Sequence, residues 1–163
     1  MDKWQPGASV NTLRRRAAML SSVREFFKQR SVLEVDVPVM GKATVTDLNI
    51  DSITTSVVGE QGYLQTSPEY FMKRLLASGT GDIYFMGKAF RDGEVGLRHN
   101  PEFTMLEWYR CGWDDHQLMS ELVELISLLL AEEDGFSWDV TKISYSDCFF
   151  DNLGLDPHNA ELR

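Results

Sequence analysis

The chain is poor in cysteine. Its two thiols, Cys111 and Cys148, lie far apart and match no metal-binding or redox spacing, so both are expected to be reduced and buried. Positive charge is also scarce: 16 Lys and Arg stand against 25 Asp and Glu, a net charge of -9. Proteins that hold nucleic acid by general electrostatics present a basic surface, so such a partner is not expected. No apolar run reaches membrane-spanning length; the longest, Leu122 to Ala131, is broken by Glu124 and Ser127. The opening MDKWQPGASV has no apolar core of a secretion signal, and the chain reads as cytoplasmic with no membrane partner. Internal repeats and low-complexity tracts are absent too.

What is present suits one soluble domain with a real core: 163 residues, 43% of them hydrophobic. Asn11 or Thr12 can cap a helix running to about Arg30, with Leu13, Ala17, Leu20, Val23 and Phe27 on its apolar side. Arg14, Arg15 and Arg16 point elsewhere and read as a solvated face. From Val32 to Val37, Leu33, Val35 and Val37 alternate with Glu34 and Asp36, which predicts a strand covered on one face and closed by Pro38. A strand over about 53–58, a turn with Gly59 and Gly62, and a partner over 63–66 follow. The segment TSPEYFMKRLLASG is punctuated as a helix, with Ser67 as cap, Pro68 in the first position, Glu69 in the first turn and Gly79 past the end. Further on, Gly112 and Asp114-Asp115 introduce a helix over about 116–131, with Leu118, Leu122, Leu125, Ile126 and Leu129 inward, ended by 132–135. A short strand near Lys142 to Ser144 and a helix over about 146–153 complete the pattern.

The most informative stretch is FMGKAFRDGEVGLRHNPEFTMLEWYRC, Phe85 to Cys111. It predicts a strand ending at Phe90-Arg91, a polar loop from Asp92 to Pro101, and a second strand over 102–111 that closes an antiparallel hairpin. Alternation puts Phe103, Met105, Glu107, Tyr109 and Cys111 on one face. A core face would not carry an unpaired carboxylate, so a cation should meet Glu107. Arg91 at the loop end of the first strand is the candidate, and Arg98 and His99 add groups suited to phosphate oxygens.

The run RHNPEFTMLEWY, preceded by FR and a short loop, resembles the second signature motif of the class II aminoacyl-tRNA synthetases. The form is that of the lysine-specific enzymes and of their paralogues that ligate β-lysine onto elongation factor P. The long helix and strand closing on Pro38 are similar to the first motif, and the likeness extends from Trp4 to about Arg163. It implies an α+β fold, an antiparallel sheet flanked by helices, incomplete at the C-terminus. The third motif and the carboxylates that bind Mg²⁺ are expected outside this chain segment, so 1–163 is expected to be the N-terminal part of a catalytic domain, weakly active or inactive alone. No anticodon-binding domain is expected.

By the same resemblance the activity is ATP-dependent conversion of lysine or β-lysine to an aminoacyl-adenylate, then transfer to a lysine of elongation factor P, with tRNA an unlikely acceptor. Arg91 would be catalytic, bridging the α-phosphate and the attacking carboxylate. Arg98 and His99 would lie near the outer phosphates, Asn100 would contact the nucleotide, and Phe103 would stack on adenine, with Asp92 and Gly93 in the same ATP-binding loop. Ser67, Pro68 and Glu69 fill the amino-acid binding loop, whose Glu holds the substrate amino group. Glu107 and Tyr109 would line the side-chain pocket, since an ammonium offers only donors. The helix-strand unit over 12–38 would make a homodimer interface. One departure stands out: Gly93 occupies a position usually held by Glu. Either Glu94 substitutes after a twist allowed by Gly93, or a nucleotide contact is lost. Two other readings stay open: a lysyl-tRNA synthetase fragment, and a non-catalytic regulatory paralogue that binds a small molecule or partner.

Overall fold

The structure is a computed structural model and describes residues 4–131 and 139–159. Helix α1 spans Val10–Gln29 and is capped by Ser9, whose hydroxyl accepts from Thr12 N at 3.1 Å. The cap therefore lies two or three residues before Asn11 or Thr12. After α1 the chain forms β1 (Leu33–Glu34), β2 (Met40–Gly41), β3 (Thr54–Val57) and β4 (Glu60–Leu64). Helix α2 (Glu69–Ala77) leads to β5 (Ile83–Phe90) and β6 (Glu102–Tyr109), and helices α3 (Asp115–Leu130) and α4 (Tyr145–Leu153) follow.

Two three-stranded sheets result, in the orders β1-β5-β6 and β2-β4-β3. The expected hairpin is present, in register from Ile83↔Tyr109 to Phe90↔Glu102. The sheet is not purely antiparallel, because β1 pairs with β5 in parallel. The 32–37 segment is also shorter as a strand than its alternation implied. It keeps ladder bonds only at Leu33 and Val35, and it buries Val32 and Val37 while Leu33 stays exposed on the sheet edge.

The hairpin's two faces are covered by different helices. On one, Tyr84, Met86, Leu106 and Trp108 pack against Val23, Phe26 and Phe27 of α1 and Leu125 and Leu129 of α3. Phe27 is fully buried and stacks on Tyr84 with ring centroids 4.5 Å apart. Burying a ring of that size stabilises by roughly 1.5–3 kcal/mol, which makes Phe27 the main tie between α1 and the sheet. On the other face, Ile83, Phe85 and Tyr109 meet Met72, Leu75 and Leu76 of α2. Here Phe85 folds its ring over Gly87, where an added Cβ would fall 2.5 Å from the ring's Cζ.

Several details differ from the pattern read in the sequence. Leu13 and Leu122 are exposed, because neighbouring elements cover only the C-terminal half of α1 and part of α3. Both thiols, at Cys111 and Cys148, are exposed rather than buried, and neither is in a disulfide. Cys111 lies past the end of β6 and Cys148 lies on α4, a helix with no fully buried residue. Residues 142–144 are not a strand; Ser144 instead caps α4, accepting from Asp147 N at 3.0 Å. The expected end of α3 at 132–135 lies outside the described residues. Among those described, no helix is long and apolar enough to cross a membrane.

Candidate active site

Phe103, Glu107 and Tyr109 emerge on the hairpin face that carries α2, since Ala89, Phe85 and Ile83 are their register partners. Alternation along an extended strand requires this. Tyr109 donates its hydroxyl to Glu107 Oε1 at 2.8 Å. Burial pushes the Glu107 carboxyl above its ordinary range; the Tyr109 hydrogen bond opposes that, the charge of Glu69 adds to it and Lys73 offsets it. Burial and then the Glu107 hydrogen bond likewise push the Tyr109 phenol up. Glu107 thus lies within the electrostatic reach of Glu69, at the start of α2, and of Lys73 one turn later.

Glu69 and Lys73 form an i,i+4 ion pair, and that contact raises the Lys73 ammonium above its usual value. Glu69 begins α2, where a carboxylate complements the helix dipole. The N-cap is Pro68 rather than Ser67, and it makes no side-chain capping bond. Ser67 Oγ still accepts from Glu69 N, at 3.4 Å. The cation expected opposite Glu107 is therefore Lys73 and not Arg91. Lys73 lay within reach of sequence reasoning, since its spacing from Glu69 is that of a helical ion pair.

Arg91 sits at the far end of the hairpin. Its backbone N bonds to Pro101 O at 2.9 Å, and its Nε donates to Thr66 O at 3.4 Å. The guanidinium lies 5.2 Å from the Phe103 ring centroid, within cation–π range. Nη1 is 3.5 Å from Glu94 Oε1. Gly93 makes that pairing by adopting φ 73, a left-handed turn that favours glycine. Asp92 holds the loop base: its N bonds to Asp51 O, and its Oδ1 accepts from Gly93 N, both at 2.8 Å. Gly96 and His99 exchange backbone bonds that put Leu97 and Arg98 at an exposed tip. The structure does not bring the side chains of Arg98, His99 or Asn100 into contact with the other candidate residues.

A cavity of about 460 Å³ opens beside α2. Gly41, Ala43 and Thr44 line one side, and Thr66, Ser67, Glu69, Tyr70 and Arg74 the other. It adjoins the hairpin site through Ser67, Glu69 and Thr66, whose carbonyl accepts from Arg91; Arg91, Phe103, Glu107 and Tyr109 lie outside its lining. The sequence did not single out the 42–45 segment that walls it, because nothing in its residue types distinguishes it from a loop. Among the described residues, no group of three or more His, Cys, Asp or Glu could hold a metal ion.

A ring and a guanidinium thus stand at one end of a strand face, with a carboxylate and a phenol at the other. The chain belongs to the class II synthetase family: residues 3–157 match the tRNA synthetases class II (D, K and N). Within it, the chain is similar to proteins named elongation factor P (R)-β-lysine ligase. That of Vibrio vulnificus is 49% identical over 165 residues, covering 98% of this chain and 50% of the relative. The Pseudoalteromonas translucida protein is 48% identical over 169 residues, with 98% and 50% covered. The Yersinia enterocolitica protein is 44% identical over 164 residues, with 97% and 49% covered. The chain spans about half the length of the curated relatives it matches.

Proposed function

We propose that this chain is the N-terminal part of a catalytic domain that activates lysine or β-lysine with ATP and passes it to a lysine of elongation factor P. The observation that carries this reading is the shared face of Phe103 and Glu107. They are four positions apart, about 13 Å at the rise of a strand, enough to seat an adenylate's base at one end and an ammonium at the other. Two carboxylates, Glu69 and Glu107, suit a substrate with two amino groups, one received at the start of α2 beside Ser67 and Pro68, the other between Glu107 and Tyr109. An ammonium has three donors and no acceptor, so carboxylate and phenol oxygens are its natural partners.

In the first step the amino-acid carboxylate attacks the α-phosphorus of ATP and pyrophosphate leaves. Arg91 neutralises the charge gathering between them; holding and aligning the two reactants is most of what such a site contributes. Phe103 offers a flat face to adenine, and Asp92, Gly93 and Glu94 set the direction of Arg91. Arg98, His99 and Asn100 meet the outer phosphates and nucleotide if the loop tip folds inward. In the second step the acceptor lysine's amine attacks the acyl carbon and AMP leaves. ATP and Mg²⁺ serve ligases of this class generally; the described residues do not by themselves form a Mg²⁺ site. The enzyme acts in the cytoplasm as a homodimer through the 12–38 unit, a reading supported by the exposed Leu13 and Met19 of α1 and the open edge at Leu33.

Pyrophosphate exchange by the full-length gene product tests the proposal. Exchange that depends on lysine or β-lysine is expected, followed by transfer to elongation factor P and not to tRNA. Transfer to tRNA alone would make the protein a lysyl-tRNA synthetase; no exchange with either amino acid would leave a regulatory binding protein.

A further inference from the structure

Behind the amine end of the hairpin, on the face toward α1 and α3, lies a buried carboxylate with no part in the reaction just described. Glu121 of α3 is 3% exposed. Its Oε2 accepts from Trp108 Nε1 at 3.0 Å, and its Oε1 lies 3.4 Å from Arg110 Nη2 and 3.8 Å from Arg30 Nε. Arg110 is held further by Asp82 Oδ2 at 2.9 Å and packs its guanidinium 4.1 Å from the Trp113 ring centroid. Asp82 in turn accepts from Cys111 N at 2.7 Å.

Trp108 of β6 and Arg110, the first residue past its end, alternate in sequence with Glu107 and Tyr109. One carboxylate therefore grips the two side chains that flank the amine pocket from the opposite side of the strand. This fixes the roll of β6 about its own axis at the place where Glu107 and Tyr109 must present their oxygens together. Stability alone is a poor reason for the arrangement, because apolar residues of similar volume commonly replace a buried ion pair without loss. Glu121 Oε1, moreover, accepts no hydrogen bond. Phe103 lies five residues before Trp108, about 16 Å along the strand, beyond the direct reach of this grip.

We infer that Glu121 is a positioning residue for the substrate's amino-acid side chain, acting through Trp108 and Arg110. The inference rests on the adenylate-forming reading above and adds to it a control on amine recognition separate from nucleotide recognition. Its test is pyrophosphate exchange by the full-length gene product carrying Glu121→Gln or Trp108→Phe. Glu121→Gln keeps an acceptor for the indole and removes the charge that holds Arg110. It is expected to raise KM for the lysine substrate about tenfold and to leave KM for ATP within about twofold. Combined with Tyr109→Phe, its effect is expected to fall short of the product of the two single effects, as for residues that act through one another. Trp108→Phe keeps the ring and deletes the indole donor, and about a threefold rise in the same KM is expected. A purely structural role would lower the folded fraction and hence the measured kcat, with both KM values unmoved. Unchanged KM for the amine, an equal rise for both substrates, or simple multiplication with Tyr109→Phe would overturn the inference. If Glu121→Gln does not fold, an unshifted amine KM in Trp108→Phe overturns it alone. Wild-type protein without lysine-dependent exchange would instead overturn the underlying reading, and this inference with it.

Discussion

Tyr109 and Glu107 share a hydrogen bond of 2.8 Å between side chains two positions apart on the same strand. Such neighbours project to one side, so the strand itself supplies a paired acid and phenol without help from another element. The pair is half-buried, and the cost of that burial is a Glu107 carboxyl whose pKa stands above its ordinary value, a shift that the Tyr109 hydrogen bond opposes.

That cost has a sign. A carboxyl whose folded pKa lies above its unfolded value stabilises the fold while protonated, and the contribution is lost as pH rises through the folded pKa. Glu107→Gln mimics the protonated form and can still accept from Tyr109. Thermal melts should show the variant more stable than wild type at neutral pH, with the difference closing below the ordinary Glu range. Amine affinity should fall at least tenfold in the same variant, the usual trade between stability and a strained site. In wild type, affinity should weaken on acidification from a pH above that of an ordinary glutamate.

Arg91→Ala in the full-length protein should cut adenylate formation by about 10²–10³-fold, the scale seen when one charge-stabilising donor is removed. Single-turnover rates measure it. A rate near wild type would show that another cation serves the α-phosphate.

Phe103→Ala should raise KM for ATP by about tenfold, in line with roughly 1–3 kcal/mol per stacked base. KM for the amino acid should hold steady, because Glu107 and Tyr109 occupy the other end of the strand. Parallel titrations of the two substrates check the separation.

Gly93→Val should destabilise by about 1–2 kcal/mol, since a β-branched residue resists the left-handed conformation found there. It should also part Arg91 from Glu94 and slow adenylate formation. Glu94→Gln, which keeps the backbone, separates the two effects: melting unchanged, rate reduced.

The common face of Phe103, Glu107 and Tyr109 was legible because the three lie on one strand of a hairpin, where period-two alternation alone assigns it. The start of α3 was legible from Asp114-Asp115, since Asp114 is its N-cap and accepts from Gln117 N at 2.8 Å. What could not be read depended on contacts between distant segments. Glu121 sits three residues after Leu118 and four before Leu125, inside the apolar stripe of α3, yet only the fold shows that Trp108, Arg110 and Arg30 converge on it. The parallel pairing of β1 with β5 and the exposure of Leu33 follow from what neighbours a strand has, which no local pattern encodes. Arg91 was matched to the wrong carboxylate for the same reason: register separates it from Glu107 by six positions, about 20 Å.

The glycine beneath the Phe85 ring carries a last consequence. Phe85 belongs to the cluster with Met72 of α2, the helix that begins with Glu69. Even a methyl group at position 87 would force the ring to shift, and the ring packs in one cluster with the helix that carries the Glu69 carboxylate. A silent-looking change in mid-strand would then surface as poor recognition of the amino acid, since position 87 pairs with Met105, midway between Phe103 and Glu107.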